Sequence, residues 1–98
     1  MKIQTLDIEA KEWFDKINGN SYFSALATIN YQLQDQVYFL IPFQYGYGSQ
    51  FEQAVISELN KLGLSSCQSI RELRESGVII RSNKTDKCFK KDVLAWGK

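Results

Sequence analysis

Apolar residues recur at helical spacing through residues 49–64. Phe51, Ala54, Val55, Leu59 and Leu62 fall at i, i+3, i+4, i+8 and i+11, one stripe of a 3.6-residue helix. Ser49 is followed three residues later by Glu52, the capping-box spacing in which each side chain satisfies a backbone N–H at the helix start. Gly63 stands where a left-handed residue ends a helix, and Leu64 follows as its hydrophobic contact. Start, face and stop agree on a helix over about 49–62.

Upstream the period changes to two. Val37, Phe39, Ile41 and Phe43 alternate with Tyr38, Leu40 and Pro42, and both sets are largely apolar, as in a strand covered on both faces or nearly so. Pro42 cannot donate to a ladder, so pairing stops there or that edge is open. Phe23, Ala25, Ala27 and Ile29 form one face of an earlier strand, with Tyr22, Ser24, Leu26 and Thr28 on the other. The polar stretch Asn30 to Gln36 joins the two as an antiparallel hairpin. The small Ala25 and Ala27 let the helix approach the sheet closely.

The ends are less regular. Met1 to Leu6 shows a weak strand pattern. Over 7–19 two readings stand open. Ala10, Trp13, Phe14 and Ile17 fit a helix stripe with Asp7 as N-cap, whereas Asn18-Gly19 is a strong hairpin signal flanked by strand-like residues. Beyond Gly63, Ser69 and Glu72 repeat the capping-box spacing and Gly77 stops a short helix over about 70–76. Val78-Ile79-Ile80 reads as a strand, Ser82 to Asp86 as a turn and Cys88 to Trp96 as a return strand. The expected fold is therefore α+β and a single domain over 1–98. It is a small antiparallel sheet packed against one main amphipathic helix, with the short second helix and a C-terminal hairpin.

Composition narrows the chemistry more than the fold. The 98 residues suffice for one core. Twelve basic and eleven acidic residues nearly balance, so the whole chain is not built to coat nucleic acid. The balance is uneven, with four basic against seven acidic residues over 1–66 and eight against four over 67–98. Arg71, Arg74, Arg81, Lys84, Lys87, Lys90, Lys91 and Lys98 make the last third basic. The plain reading of such a run is a solvated surface.

The chain has no histidine, which removes the commonest general base and metal ligand. Cys67 and Cys88 are too few and too far apart for a zinc knuckle, leaving free thiols or a single bridge. No apolar signal region opens the chain and no apolar run reaches membrane length, so the expectation is cytoplasmic, with no membrane partner.

Tyr45-Gly46-Tyr47-Gly48, between strand and helix, is the most suggestive stretch. Two glycines in three residues permit a sharp reversal and leave the helix-start N–H groups as a physical anion site. A phosphate loop would need GxxxxGK[ST], yet Gly48 is followed by Ser49-Gln50. A dinucleotide fingerprint would need a glycine at Phe51. The strand pair, turn and helix also look like part of a double-stranded-RNA-binding domain. Glu52 stands where that fold would present phosphate-binding lysines, which argues against the activity. Among Asp7, Glu9, Glu12, Asp15, Asp35, Glu52 and Glu58, no two form a recognisable acid–base or ligand motif. No cofactor, metal or catalytic residue is assigned.

The aromatic residues stand out instead. Tyr22, Tyr31, Tyr38, Tyr45 and Tyr47, with Trp13 and Trp96, exceed what a small core needs. The plain reading packs them at the core edge with hydroxyls outward. Tyrosines beside a glycine turn are also what binding surfaces use.

Asn18-Gly-Asn-Ser-Tyr-Phe-Ser24 and Pro42-Phe-Gln-Tyr-Gly-Tyr-Gly48, running into the helix, resemble a group of small phage and prophage proteins. The likeness covers roughly residues 12–62 and excludes the basic last third. That group has no established activity, so the resemblance implies a setting, the host bacterial cytoplasm, and a partner class, a host or bacterial-defence protein. The leading expectation is a non-enzymatic phage-type accessory protein that binds such a partner through Tyr45, Gly46, Tyr47 and Gly48. The alternative is a nucleic-acid-binding accessory protein using Arg81, Lys84, Lys87, Lys90 and Lys91 with nearby aromatics. A homodimer through an open strand edge is a further partner reading.

Overall fold

Asn18-Gly19 decides the N-terminal ambiguity in favour of a hairpin. In a computed structural model, which describes residues 2–94, β1 (Thr5–Asp15) turns back into β2 (Asn20–Ile29), with Asp15 opposite Asn20. Gly19 takes a positive φ of 70° and donates its N–H to the Asp15 carbonyl at 2.7 Å. The Asp15 carboxylate accepts from the backbone N–H groups of Ile17 and Asn18 and from the Asn18 side chain. The hydrogen bond from the Asn18 side chain, ahead of the backbone bonds, holds the Asp15 carboxyl below its ordinary pKa. Helix periodicity over 7–19 loses because Leu6, Ile8 and Ala10 must alternate into the core.

β3 (Val37–Tyr45) pairs antiparallel with β2 after a loop over 30–36. It is an edge strand, the open edge that Pro42 allowed. The expectation of cover on both faces is corrected, since Ile41 is the one buried side chain of β3. α1 (Gln50–Lys61) follows and buries Phe51, Val55, Ile56 and Leu59. Gly63 (φ 75°) ends it in a Schellman arrangement, with its N–H on the Asn60 carbonyl and the Leu64 N–H on the Leu59 carbonyl. At the other end Ser49 makes no side-chain cap. The cap forms instead at α2 (Ile70–Glu75), where the Ser69 hydroxyl accepts the Glu72 N–H.

β4 (Ile79–Thr85) then pairs in parallel with β1, giving a four-stranded mixed sheet in the order β3-β2-β1-β4. The expected antiparallel sheet and C-terminal hairpin are thereby corrected. A chain leaving β3 through helices returns to the end where β3 began, so the next strand runs parallel. Ser82 to Thr85 belong to β4 instead of a turn. After it comes α3 (Lys90–Leu94) where a return strand was expected. The end of that expected strand, including Trp96, lies outside the described residues. The fold is α+β, a mixed sheet with three short helices.

The two sheet faces differ. Leu6, Ile8, Ala10, Phe23, Ala25, Ala27, Ile29 and Ile41 face α1 and α2 and form the main core. On the opposite face α3 covers one end, where buried Ser24 donates to the Val93 carbonyl at 2.6 Å. Asn30, also buried, takes a positive φ of 55° and ties residues 2–5 to the end of β2.

Candidate functional site

The glycine turn is held from four sides. Gly46 is buried, and its N–H donates to the Ser21 carbonyl at 3.0 Å. A Cβ there would lie 2.5 Å from Phe23 Cε1, so this glycine is required for close approach. Of the two glycines, Gly48 is the one at positive φ, 62°, where glycine is favoured. Gln50 accepts the Tyr47 N–H on its side-chain oxygen at 2.8 Å, the turn-satisfying role that Ser49 leaves unfilled. The Gly48 carbonyl accepts from Lys84 Nζ at 3.3 Å. On this pinned backbone Tyr45 and Tyr47 each stand 60% exposed.

An aromatic row runs from the turn across the sheet. Tyr45 packs edge-on against Tyr22 at 6.0 Å. Tyr22 stacks on Phe43 at 5.1 Å and on Trp13 at 5.7 Å. Lys90 Nζ lies over the Trp13 ring at 5.4 Å. A β-bulge builds the row: Phe23 opposes Gln44 and Ala25 opposes Ile41, so Pro42 and Phe43 together face Ser24. The extra residue turns Phe43 away from the core face, where simple alternation with Ile41 would put it. Tyr22 and Trp13 are adjacent because of the β1–β2 hairpin. Sequence alone offers the ingredients, but not the bulge that aligns them.

The basic candidates separate into two groups. Arg81 makes a two-pronged pair with Asp7, Nε to Oδ1 at 2.5 Å and Nη2 to Oδ2 at 3.0 Å, and this hydrogen bonding raises its pKa. Lys84 reaches back to Glu12 at 3.3 Å and Asp86 at 3.1 Å. Burial pulls the Lys84 pKa down, but hydrogen bonds to Asp86 and Glu12 outweigh it and the net shift is upward. Both side chains serve the fold before any ligand. Lys87 and the Lys90-capped Trp13 border a cleft of about 760 Å³, whose other walls include Phe14, Ile17, Cys88 and Phe89. Lys91 sits over the Phe89 ring. Cys67 and Cys88 are free thiols.

The Lys84 cluster makes a pH prediction. The hydrogen bond from Lys84, its largest cause, lowers the Asp86 pKa, so its contribution is present above the unfolded aspartate value and lost as pH falls through the folded one. The raised Lys84 pKa contributes below the unfolded lysine value and is lost as pH rises through the folded one. Near neutrality both are present. Lys84→Met is expected to melt below wild type at neutral pH, with the gap narrowing as the pH drops below 3.8, the ordinary aspartate value. Thermal melts of both proteins across that range check it.

Among the described residues, no set of three or more His, Cys, Asp or Glu side chains is placed to hold a metal, and no helix is long and apolar enough to cross a membrane. No protein-family model, curated protein or solved structure matches the chain.

Proposed function

We propose that the protein is a non-enzymatic, phage-type accessory protein that binds and modulates a host or bacterial-defence protein in the bacterial cytoplasm. The observation that carries this reading is the pair Tyr45 and Tyr47, both well exposed on a turn whose backbone is fixed by Gly46, Gln50 and Lys84. Large aromatic side chains on a preorganised turn lose little entropy on binding, which is what interface anchors need. In this reading α1 is the main amphipathic helix that braces the sheet, and the aromatic row behind Tyr45 extends the contact area.

The test is affinity capture from bacterial lysate, with nuclease, comparing wild type and the double variant Tyr45→Ala, Tyr47→Ala. Two anchors at about 2 kcal/mol each predict partner recovery falling by well over tenfold. The thermal midpoint should stay within roughly 3 °C, as expected for exposed side chains. Undiminished recovery of the same partner sinks the proposal.

A second reading rests on the lysine-bordered aromatic cleft beside Trp13, Phe14 and Phe89. Such a surface suits stacking of single-stranded bases, although Arg81 and Lys84 are engaged elsewhere. It predicts anisotropy-detected binding of a labelled single strand that collapses as salt rises. No binding at low salt disposes of it.

A further inference from the structure

The two edges of the sheet are unlike. The β4 edge carries Arg81 and Lys84, and the latter points inward among Glu12 and Gly48, a recognised guard against strand addition. The β3 edge has no charged guard, and its Pro42 and bulge protect only the end beyond Ile41. From Gln36 to Phe51 the chain holds no charged residue, and Val37, Tyr38 and Leu40 are 40%, 67% and 44% exposed. Pro42 and the bulge end the regular stretch, leaving Val37 to Ile41 as an open apolar edge.

We propose that β3 pairs antiparallel with β3 of a second copy about a two-fold axis at Phe39. A two-fold normal to a sheet keeps opposed residues on one face, so only same-parity residues can oppose each other. Centring on Tyr38 draws Asp35, outside the strand, into the ladder. Centring on Leu40 sets Pro42, which has no N–H, opposite Tyr38. Centring on Phe39 avoids both and uses the regular segment end to end. Val37 then opposes Ile41 of the copy on the face that carries α1 and α2, and Tyr38 opposes Leu40 on the other.

The cross-strand chemistry favours that register. Leu26 already lies opposite Leu40, and Thr28 opposite Tyr38, across the β2–β3 ladder. Each Leu40 would gain the copy's Tyr38, an aromatic–aliphatic pair, so Leu26, Leu40 and the second Tyr38 form a continuous apolar row. Backbone groups on the edge exchange water for about four to six inter-chain hydrogen bonds. An edge with no charge of its own meets no like-charge penalty against itself. The inference goes beyond the function proposed above, because Tyr45 and Tyr47 lie past the bulge and remain free in both copies.

The test reads mass and register together. Light scattering after size exclusion should give wild type at twice the 11.3 kDa chain mass at high concentration. Tyr38→Lys with Leu40→Lys sets lysine against lysine at both symmetry-related pairs and should weaken the dimer by roughly tenfold or more. Tyr38→Glu with Leu40→Lys sets opposite charges together in this register alone and should restore it. The Tyr45→Ala, Tyr47→Ala variant should stay dimeric. Wild type at single-chain mass up to about 1 mM, a concentration at which even pairs bound by only ~4 kcal/mol would show, overturns the proposal. So does a dimeric lysine–lysine variant, or a glutamate–lysine variant no more dimeric than it.

Discussion

Asn30→Ala is expected to lower the unfolding free energy by about 3 kcal/mol, a large share of what a domain of this size holds. The side chain is fully buried and works three ways. Its Oδ1 accepts the Gln4 N–H at 2.7 Å and the Thr5 N–H at 3.3 Å, and its Nδ2 donates to the Lys2 carbonyl at 2.9 Å. Alanine leaves those backbone groups unpaired where β1 begins. The damage spreads, because the Gln4 carbonyl beside them accepts the Ile79 N–H that starts the parallel ladder to β4. Asn30 also sits at φ 55°, where asparagine is tolerated and alanine is strained. The thermal midpoint should fall by roughly 10–20 °C for a chain of this length. Asn30→Gly separates the causes: it relieves the backbone strain and loses the same hydrogen bonds, so it should recover about 1 kcal/mol at most. Urea and thermal unfolding of the three proteins measure this. A midpoint change of only a few degrees for Asn30→Ala would mean that water replaces the amide.

Much of the architecture is written in local pattern, and its failures have a common cause. Alternation over 22–29 and 37–43, with the polar stretch between, gives the β2–β3 hairpin, and Gly63 marks the residue that turns left-handed after α1. What local pattern lacks is the identity of the neighbour. β3 is apolar on both sides, and the same string serves a covered strand or an edge with an unfilled face. The start of β4 is legible at Ile79-Ile80, but its second half looks like a turn because Ile80 alone packs on the core while Lys84 points inward, and what makes an inward lysine tolerable is Glu12, 72 residues away. Helix and strand patterns overlap over 7–19 because Trp13 and Phe14, consecutive apolar residues, go to opposite faces. The candidate site shows the same limit. Tyr45 and Tyr47 are conspicuous in sequence, but the row through Tyr22 and Phe43 depends on a one-residue bulge. The basic set looks uniform until Asp7 and Glu12 claim two of its members.

Gly46→Ala is expected to couple the fold to the site. The added methyl carbon would stand 2.5 Å from Phe23 Cε1 and 2.9 Å from Cδ1, far inside contact distance. Phe23 is 3% exposed and packed in the main core, so its ring cannot swing aside freely. Either the ring moves at the cost of core packing or the turn lifts off the sheet. Overpacking of this kind costs about 2 kcal/mol, a fall of roughly 10 °C in thermal midpoint. A lifted turn also loses the Gly46 N–H bond to Ser21 and displaces Tyr45 and Tyr47 together, so partner capture should weaken although neither tyrosine is altered. Gly48→Ala is the control. Nothing lies within 4 Å of its new carbon, so its cost is the left-handed backbone alone, about 1 kcal/mol. Phe23→Leu supplies the decisive comparison. Combined with Gly46→Ala it makes room for the methyl group, so the pair should cost less than the sum of the two single changes. If the two costs simply add, Gly46 is not held by Phe23, and the rigidity ascribed to the turn would have to come from Gln50 and Lys84 instead.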